Sequence, residues 1–491
     1  MIETHLSLLL VVIPLLAAPV TAILPNGRLP WLLTLLVSWL CFALAIWQFM
    51  MVMDGSVISY ELGGWAPPWG IEYRIDTVNA FVALIVAGMA AITLPYAMLS
   101  VEKEIPRDKL SLFYATFLLC MDGLLGITLT GDIFNLFVFL EISSLSTYTL
   151  ISMGQKRRAL TAAYQYLIMG TIGATFLLIG IGLIYAETGT LNMMDLSARL
   201  PAVFGHRTVH TAFAFIVVGV GLKLAMFPLH LWLPNAYTYA PSAVTVFLAA
   251  TATKVAIYVM LRLVFTVFTI EFVYVTPTDS MFMLLGVLGV IVASVYAIYQ
   301  QDAKRVLAYS SVAQVGYILM GMGFASAMGL TASVIHMFNH ALMKGALFMA
   351  VGAMVYRIGS SQISQLKGLG RQMPWTFAAL VIAGLSLIGV PGTAGFISKW
   401  YLVLAAIEQQ AWFIAIVILG GSLMAVIYIW KLVETLFFQT ATEDISIKEA
   451  PLSLLVPTWI LVIANIYFGI NTELTVNAAE AAVKSLENVR Q

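Results

Sequence analysis

Fourteen apolar stretches, each close to the thickness of a bilayer in helical length, run through this chain and leave it few folds to choose from. They cover approximately 5–24, 30–53, 76–98, 111–129, 132–153, 160–185, 210–232, 242–268, 281–299, 305–325, 329–357, 375–405, 411–439 and 452–471. A transmembrane helix needs about 20 consecutive apolar residues, and each stretch meets that length. Polar or Gly/Pro-marked breaks separate them, and no intervening segment is long enough to fold alone. The pattern predicts an all-α polytopic membrane protein. Only 10% of residues are charged, against 61% hydrophobic, far from the balance of a soluble domain. The formal net charge of zero leaves no basic surface for nucleic acid. Cys41 and Cys120 both fall mid-span, so neither a disulfide framework nor a metal site is expected. The N-terminus, MIETHLSLLLVVIPLLAAPVTA, resembles a signal peptide but lacks Lys or Arg before its apolar run. It reads as an uncleaved first helix.

The positive-inside rule orients these spans. With the N-terminus outside, one set of loops holds Arg28, Lys103, Arg107, Lys109, Lys156, Arg157, Arg158, Lys304, Arg305, Arg357, Lys367, Arg371 and Lys448. The other set holds only Arg74, Arg199, Arg207, Lys484 and Arg490. Both termini are therefore expected on the periplasmic or outer side. Loops 54–75 and 186–209 read as short outer caps, and the mildly amphipathic tail after 471 as a surface segment.

Two spans are interrupted. One reads GLKLAMFPLHLWLP with Pro228 inside it, the other SLIGVPGTAGFISKW with Pro391 between glycines. Proline removes an N–H and clashes with the preceding turn, and lipid cannot satisfy the freed backbone groups. Simple proline kinks would fit each span alone. A matched pair in two halves, with Lys223 and Lys399 close to the breaks, points instead to an inverted-repeat transporter.

Ionisable residues deep in apolar spans carry the functional signal: Glu141, Lys223, Lys254, His336, His340, Lys344 and Lys399. A charge at the bilayer centre costs about 2.5–3.5 kcal/mol on insertion scales, so this set over several spans predicts a buried path for ions or protons. Glu141 lies nine residues after Asp132, which at 1.5 Å per residue is about 13 Å into its helix. A fixed Glu–Lys pair joining two helices would need one partner, whereas Lys223 and Lys254 on neighbouring spans both qualify. Lysine exchanges its proton readily once buried, whereas arginine stays charged. His336, His340 and Lys344 recur at i, i+4 and i+8 on one helix face. Imidazole accepts at one nitrogen and donates at the other, which suits a proton wire. Metal binding by the two histidines lacks a nearby carboxylate or thiolate; core histidines bonded to carbonyls are the other alternative. Lys399 follows the second break. Lys431 and Glu434 read as a structural i,i+3 ion pair, and Asp122 and His230 are weaker candidates.

The run GLKLAMFPLHLWLPNAYTYAPSAVTVFLAATATKVAIYVMLR, residues 221–262, resembles the hallmark of the antiporter-like, proton-conducting membrane subunits. These occur in respiratory complex I, membrane-bound hydrogenases and Mrp-type multisubunit cation/proton antiporters. The resemblance covers nearly the whole chain. It implies fourteen helices with two inverted five-helix repeats, each with a broken helix, and a hydrophilic axis through Glu141, Lys223, Lys254, His336, His340, Lys344 and Lys399. It divides the chain into a three-helix segment (1–109), a first repeat (110–268), a second repeat (281–439) and a last helix with surface tail (440–491). Tyr237 in NAYTYAPS, Lys399 in GFISKW and the short tail are more similar to the D subunits of Mrp-type antiporters.

The resemblance implies a proton-translocating subunit of a monovalent cation (Na+)/proton antiporter in the cell inner membrane, partnered by other membrane subunits and lipid. The alternative is the same role in a complex I-like NADH-quinone oxidoreductase or membrane-bound hydrogenase; a third reading is a scaffold with its buried charges as helix glue. No nucleotide loop, cysteine cluster or haem motif appears, so no cofactor and no redox chemistry of its own are expected.

Overall fold

The structure, a computed structural model, describes residues 2–440 and 446–487; of the sequence features above, Arg490 and the end of the tail lie outside them. The first helices are α1 (Ile2–Ile23) and α2 (Arg28–Val52). A hairpin of β1 (Ile58–Glu61) and β2 (Glu72–Ile75), paired antiparallel with Ile58 opposite Ile75, caps one face. Then follow α3 (Thr77–Glu104), α4 (Leu110–Leu129), α5 (Ile133–Ser152), α6 (Arg157–Thr188), the short α7 (Met193–Arg199), α8 (Arg207–Lys223), α9 (Trp232–Tyr239), α10 (Ser242–Ala250) and α11 (Ala252–Leu261). A π-helical stretch, Arg262–Val267, and α12 (Thr269–Val275) lead to α13 (Thr278–Tyr299), α14 (Ala303–Gly323), α15 (Ala327–Ile358) and the one-turn α16 (Leu369–Gln372). The chain continues through α17 (Pro374–Ile388), α18 (Ala394–Glu408), α19 (Trp412–Val433), a second π stretch (Glu434–Phe438), α20 (Leu452–Ile470) and α21 (Glu473–Glu487).

Among the described residues, 12 helical segments are long and apolar enough to cross a membrane. The broken helices α8–α9 and α17–α18 complete the fourteen spans expected. The protein is a multi-pass membrane protein. Helices α3, α10–α11 and α14 are buried nearly all round, as apolar helices at the centre of a bundle must be. Helices α2, α6, α13, α19 and α20 turn apolar side chains such as Trp39, Ile168, Tyr296, Ile416 and Ile463 outward. Close helix approach relies on small residues: a Cβ on Gly316 would stand 2.7 Å from the Gly286 carbonyl oxygen, and the reverse holds at the same distance.

An internal repeat is written in the hydrogen bonds. The set α4, α5, α6, α8–α9, α10–α11 recurs about 170 residues later as α13, α14, α15, α17–α18, α19. Asp132 and Asp302 cap α5 and α14, accepting from the Asn135 and Arg305 N–H groups. Helices α6 and α15 each have 32 residues and end on a left-handed glycine, Gly189 (φ 71°) and Gly359 (φ 82°). The returning chain then bonds to the cap segment. Ile133 N–H donates to the Leu191 carbonyl and Met193 N–H to Gly131; Ala303 donates to Ser361 and Ile363 to Gln301 in the same way. Five crossings are an odd number, so the second repeat starts from the opposite face and is inverted.

Cationic side chains border cavities at both ends of the helices. Lys103, Lys156 and Lys304 line one cavity of about 130 Å³; Arg74 and Lys484 line another, of about 480 Å³, at the other helix ends. Helix α21 lays Ala478, Ala479, Ala482 and Val483 on the bundle, burying them, and packs against α3 and α15. The tail is thus a docked surface helix.

Candidate functional site

The breaks decide where the buried polar groups sit. Helix α8 ends at Lys223, Ala225 has φ 59°, and Pro228 precedes the restart at Trp232. The Trp232 indole N–H donates at 2.8 Å to the Leu222 carbonyl, which also accepts from the Ala225 N–H at 3.3 Å. At the second break Gly389 (φ 93°) and Gly392 (φ 85°) flank Pro391. Lys399 Nζ donates to the carbonyls of Leu387 and Ile388, both at 2.9 Å, and to Ser422 Oγ at 3.0 Å. A third break interrupts the span read as continuous over 242–268. Thr251 leaves the helical region (φ −124°, ψ −58°), and Lys254 Nζ donates to the Ala249 carbonyl it releases. No proline marks this break, so the sequence pattern passes over it. In two of three breaks, then, a lysine ammonium fills the gap in the backbone ladder.

The first cluster joins α5 and α8. Glu141 Oε1 lies 3.6 Å from Lys223 Nζ, and the same ammonium donates to Ser144 Oγ at 2.7 Å and Tyr148 OH at 3.5 Å. Their exposures differ: the Lys223 side chain is 6% accessible and the Glu141 side chain 29%. Glu141 is therefore the end of the cluster that opens outward. Between Lys223 and α11 lies a cavity of about 30 Å³ lined by Ser143, Thr147, Tyr166 and Ala252, room enough for a water molecule. It bridges Lys223 to the helix that carries Lys254, and no direct bond joins the two lysines among the described residues.

The second cluster is centred on α15. His336, His340 and Lys344 are all fully buried. The His336 and His340 rings stack with centroids 6.1 Å apart. His336 Nδ1 meets Ser398 Oγ at 2.7 Å and Nε2 meets Gln314 Oε1 at 2.9 Å. Neither ring nitrogen of His340 has a hydrogen-bond partner among the described residues, and both Lys254 and Lys344 lie within electrostatic reach of it. Lys344 Nζ donates to the Leu307 carbonyl at 2.8 Å and to Ser310 Oγ. Tyr317 links this cluster to the last cation: its ring meets His336 edge-on at 5.7 Å and carries Lys399 Nζ 4.8 Å above its face.

The structure thus places the predicted residues in two clusters, Glu141 with Lys223 and His336, His340 and Lys344 with Lys399 beside them, and sets Lys254 within electrostatic reach of His340. The residues that connect them, Ser144, Gln314, Tyr317 and Ser398, carry no signal in the sequence, because a hydroxyl or amide inside a helix looks alike wherever it points. One expectation changes. Lys431 does not pair with Glu434; it donates to the carbonyls of Ile298 and Gln300 at 3.0 and 2.7 Å, closing the end of α13. His230 is buried and stacks on Phe227 with centroids 5.4 Å apart. Asp122 is fully buried with both carboxylate oxygens free of hydrogen-bond partners among the described residues, within electrostatic reach of Cys41 on α2. The sequence reading also passed over a buried ion pair, Arg262 Nη2 to Asp76 Oδ1 at 2.7 Å.

Residues 130–425 match the family described as NADH:quinone oxidoreductase/Mrp antiporter, TM. The chain is 39% identical to the N subunit of the NADH-quinone oxidoreductase of Desulforudis audaxviator, over 98% of both chains. It is 29% identical to the D subunit of the Na(+)/H(+) antiporter of Alkalihalophilus pseudofirmus, over 80% of this chain and 79% of that one. Its fold superposes on a chain of the Mrp complex from Dietzia sp. with a TM-score of 0.92 at 25% identity, covering 99% of this chain and 98% of the other.

Proposed function

This chain belongs to the NADH:quinone oxidoreductase/Mrp antiporter transmembrane family, and we propose that it translocates protons within a multisubunit membrane complex, a monovalent cation (Na+)/proton antiporter of the Mrp type. The observation that carries the reading is the succession of titratable side chains through the centre of the bundle. The Glu141–Lys223 contact of 3.6 Å begins it and the Lys399–Tyr317–His336 contacts end it. Protons enter near Glu141, pass Lys223 and Lys254 to the histidines of α15, and leave by Lys399. Each lysine holds a carbonyl or hydroxyl when protonated and can release it when neutral, so protonation of one group alters the hydrogen bonding of the next. The chain divides functionally into the segment 1–109, the half-channels 110–268 and 281–439, and the closing part 440–491.

Glu141 also argues for partners. It sits on the outward stripe of α5 between Phe134, Val138 and Leu145, all exposed. A carboxylate facing lipid at mid-membrane is costly, so another membrane subunit covers that stripe and continues the path. The Lys/Arg asymmetry supports an inner-membrane location with both termini outside. A second reading has a specific observation in its favour: identity is higher to the oxidoreductase relative than to the antiporter relative. There the same path serves a redox-driven pump whose redox centres sit in partner subunits.

Purification of the complete complex tests both. In proteoliposomes, cation-driven alkalinisation or acidification is expected for the antiporter, and Lys254→Met should abolish it. Co-purifying flavin or iron–sulfur subunits would favour the redox host. Full exchange by an assembled Lys254→Met complex would remove the path.

A further inference from the structure

Lys254, Tyr258 and Arg262 recur at i, i+4 and i+8 and so share one face of the α11 segment, running from the centre of the line toward the face that bears the N-terminus. Tyr258 OH donates to the Thr128 carbonyl at 3.2 Å and accepts from Arg262 Nε at 3.3 Å. The Arg262 guanidinium lies over the Tyr258 ring, 5.5 Å from its centroid, and its Nη2 holds Asp76 Oδ1 at 2.7 Å. Arg262 and Asp76 are both buried, yet both line the cavity of about 480 Å³ that Asp54, Arg74, Lys484 and Ser485 also border. The α-helix gives way to a π stretch at Arg262 itself, a deformation frequent at functional positions. Asp76 is further held as the N-cap of α3, accepting from the Asn79 N–H. Tyr258, Arg262 and Asp76 therefore form a polar run that begins one helical turn beyond Lys254, reaches a roomy cavity and is closed at its mouth by one ion pair.

We propose that the Arg262–Asp76 pair is the gate of a second proton outlet, running from Lys254 past the Tyr258 hydroxyl into this cavity. It rests on the reading that Lys254 carries protons. The Lys254 ammonium gives up a proton, the Tyr258 hydroxyl accepts one and donates another, and cavity water receives it. Arg262 keeps its proton throughout, since guanidinium does not titrate here. Its fixed positive charge bars protons while it is held across the mouth, and releasing it from Asp76 opens the way. An ungated connection from the line to this face would short-circuit the transmembrane gradient, which is why a permanently charged residue suits the position.

The test uses the complete host complex in vesicles, with Cys41 and Cys120 replaced by alanine and Tyr258→Cys probed by a membrane-impermeant methanethiosulfonate from the side of the cavity. Ser485→Cys is the accessible control. Tyr258→Cys is expected to be protected while the pair is intact and to react about tenfold faster when Asp76→Asn and Arg262→Gln remove both charges. With Tyr258 restored, the Asp76→Asn/Arg262→Gln complex should leak protons without cation. A labelling rate unmoved by the double substitution would overturn the gate and leave a clamp between α3 and α11. If that double variant does not assemble, Arg262→Lys keeps the charge with a narrower head. Faster labelling in Arg262→Lys supports the gate and an unchanged rate refutes it. Lys254→Met transport separately tests the underlying reading, because labelling reports water access whether or not protons move.

Discussion

Replacing Lys399 by methionine separates a working terminus from a structural cation. The ammonium makes three hydrogen bonds, two of them to carbonyls of the last turn of α17 that the second break leaves open. Methionine removes all three donors. Hydrogen bonds to charged groups are worth about 1.5–3 kcal/mol each, and partial rehydration at the break brings the net loss of stability to about 2–4 kcal/mol. Transport suffers separately. Without a group to hold the proton between Tyr317 and the exit, a charge must cross bare at mid-membrane depth, which costs at least about 2.5–3.5 kcal/mol. At 1.36 kcal/mol per decade this slows passage by about a hundredfold or more. Lys431→Met also loses two carbonyl bonds but lies off the line, so it should keep exchange within about threefold while losing comparable stability. The assay is cation-dependent exchange in proteoliposomes with a pH-sensitive dye, normalised to assembled complex by size-exclusion chromatography. Near-normal exchange in assembled Lys399→Met would refute the reasoning, and equal loss at both positions would reduce Lys399 to a helix cap.

Glu141→Gln preserves shape but cannot hold a proton or balance Lys223, so transport should vanish with assembly intact; normal exchange would misplace the entrance. Lys223→Arg should stay inactive, because guanidinium remains ionised, and an active variant would argue for a fixed pair with Glu141. Gly316→Ala forces a Cβ to within 2.7 Å of the Gly286 carbonyl and should cost about 1–3 kcal/mol, read as a lower Tm of the purified complex. Sodium should not bind tightly along the line, since hard cations need several oxygen ligands and this set is mainly nitrogen bases. Calorimetry with sodium on Glu141→Gln against the parent complex checks it, an affinity lost with Glu141 being the contrary result.

Hydrophobic length and the price of a buried charge made much of this protein legible from its residues in order. Both are local properties: twenty apolar residues must span, and a lysine or glutamate within them must find a partner. That logic named the spans, the breaks at Pro228 and Pro391, and the seven candidate residues proposed to carry protons. It stopped where direction and distance begin. Thr251 breaks a helix with no proline to announce it, because the neighbouring Lys254 ammonium replaces the lost backbone bond. Lys431 is three residues from Glu434, yet it turns to the carbonyls of Ile298 and Gln300, which only packing of α13 against α19 brings near. Tyr317 became a link because α14 sets its ring beneath Lys399, and Arg262 found Asp76 across 186 residues of chain. Composition and periodicity dictate which groups must be satisfied; which groups satisfy them is decided by neighbours that only the folded bundle brings within about 3 Å.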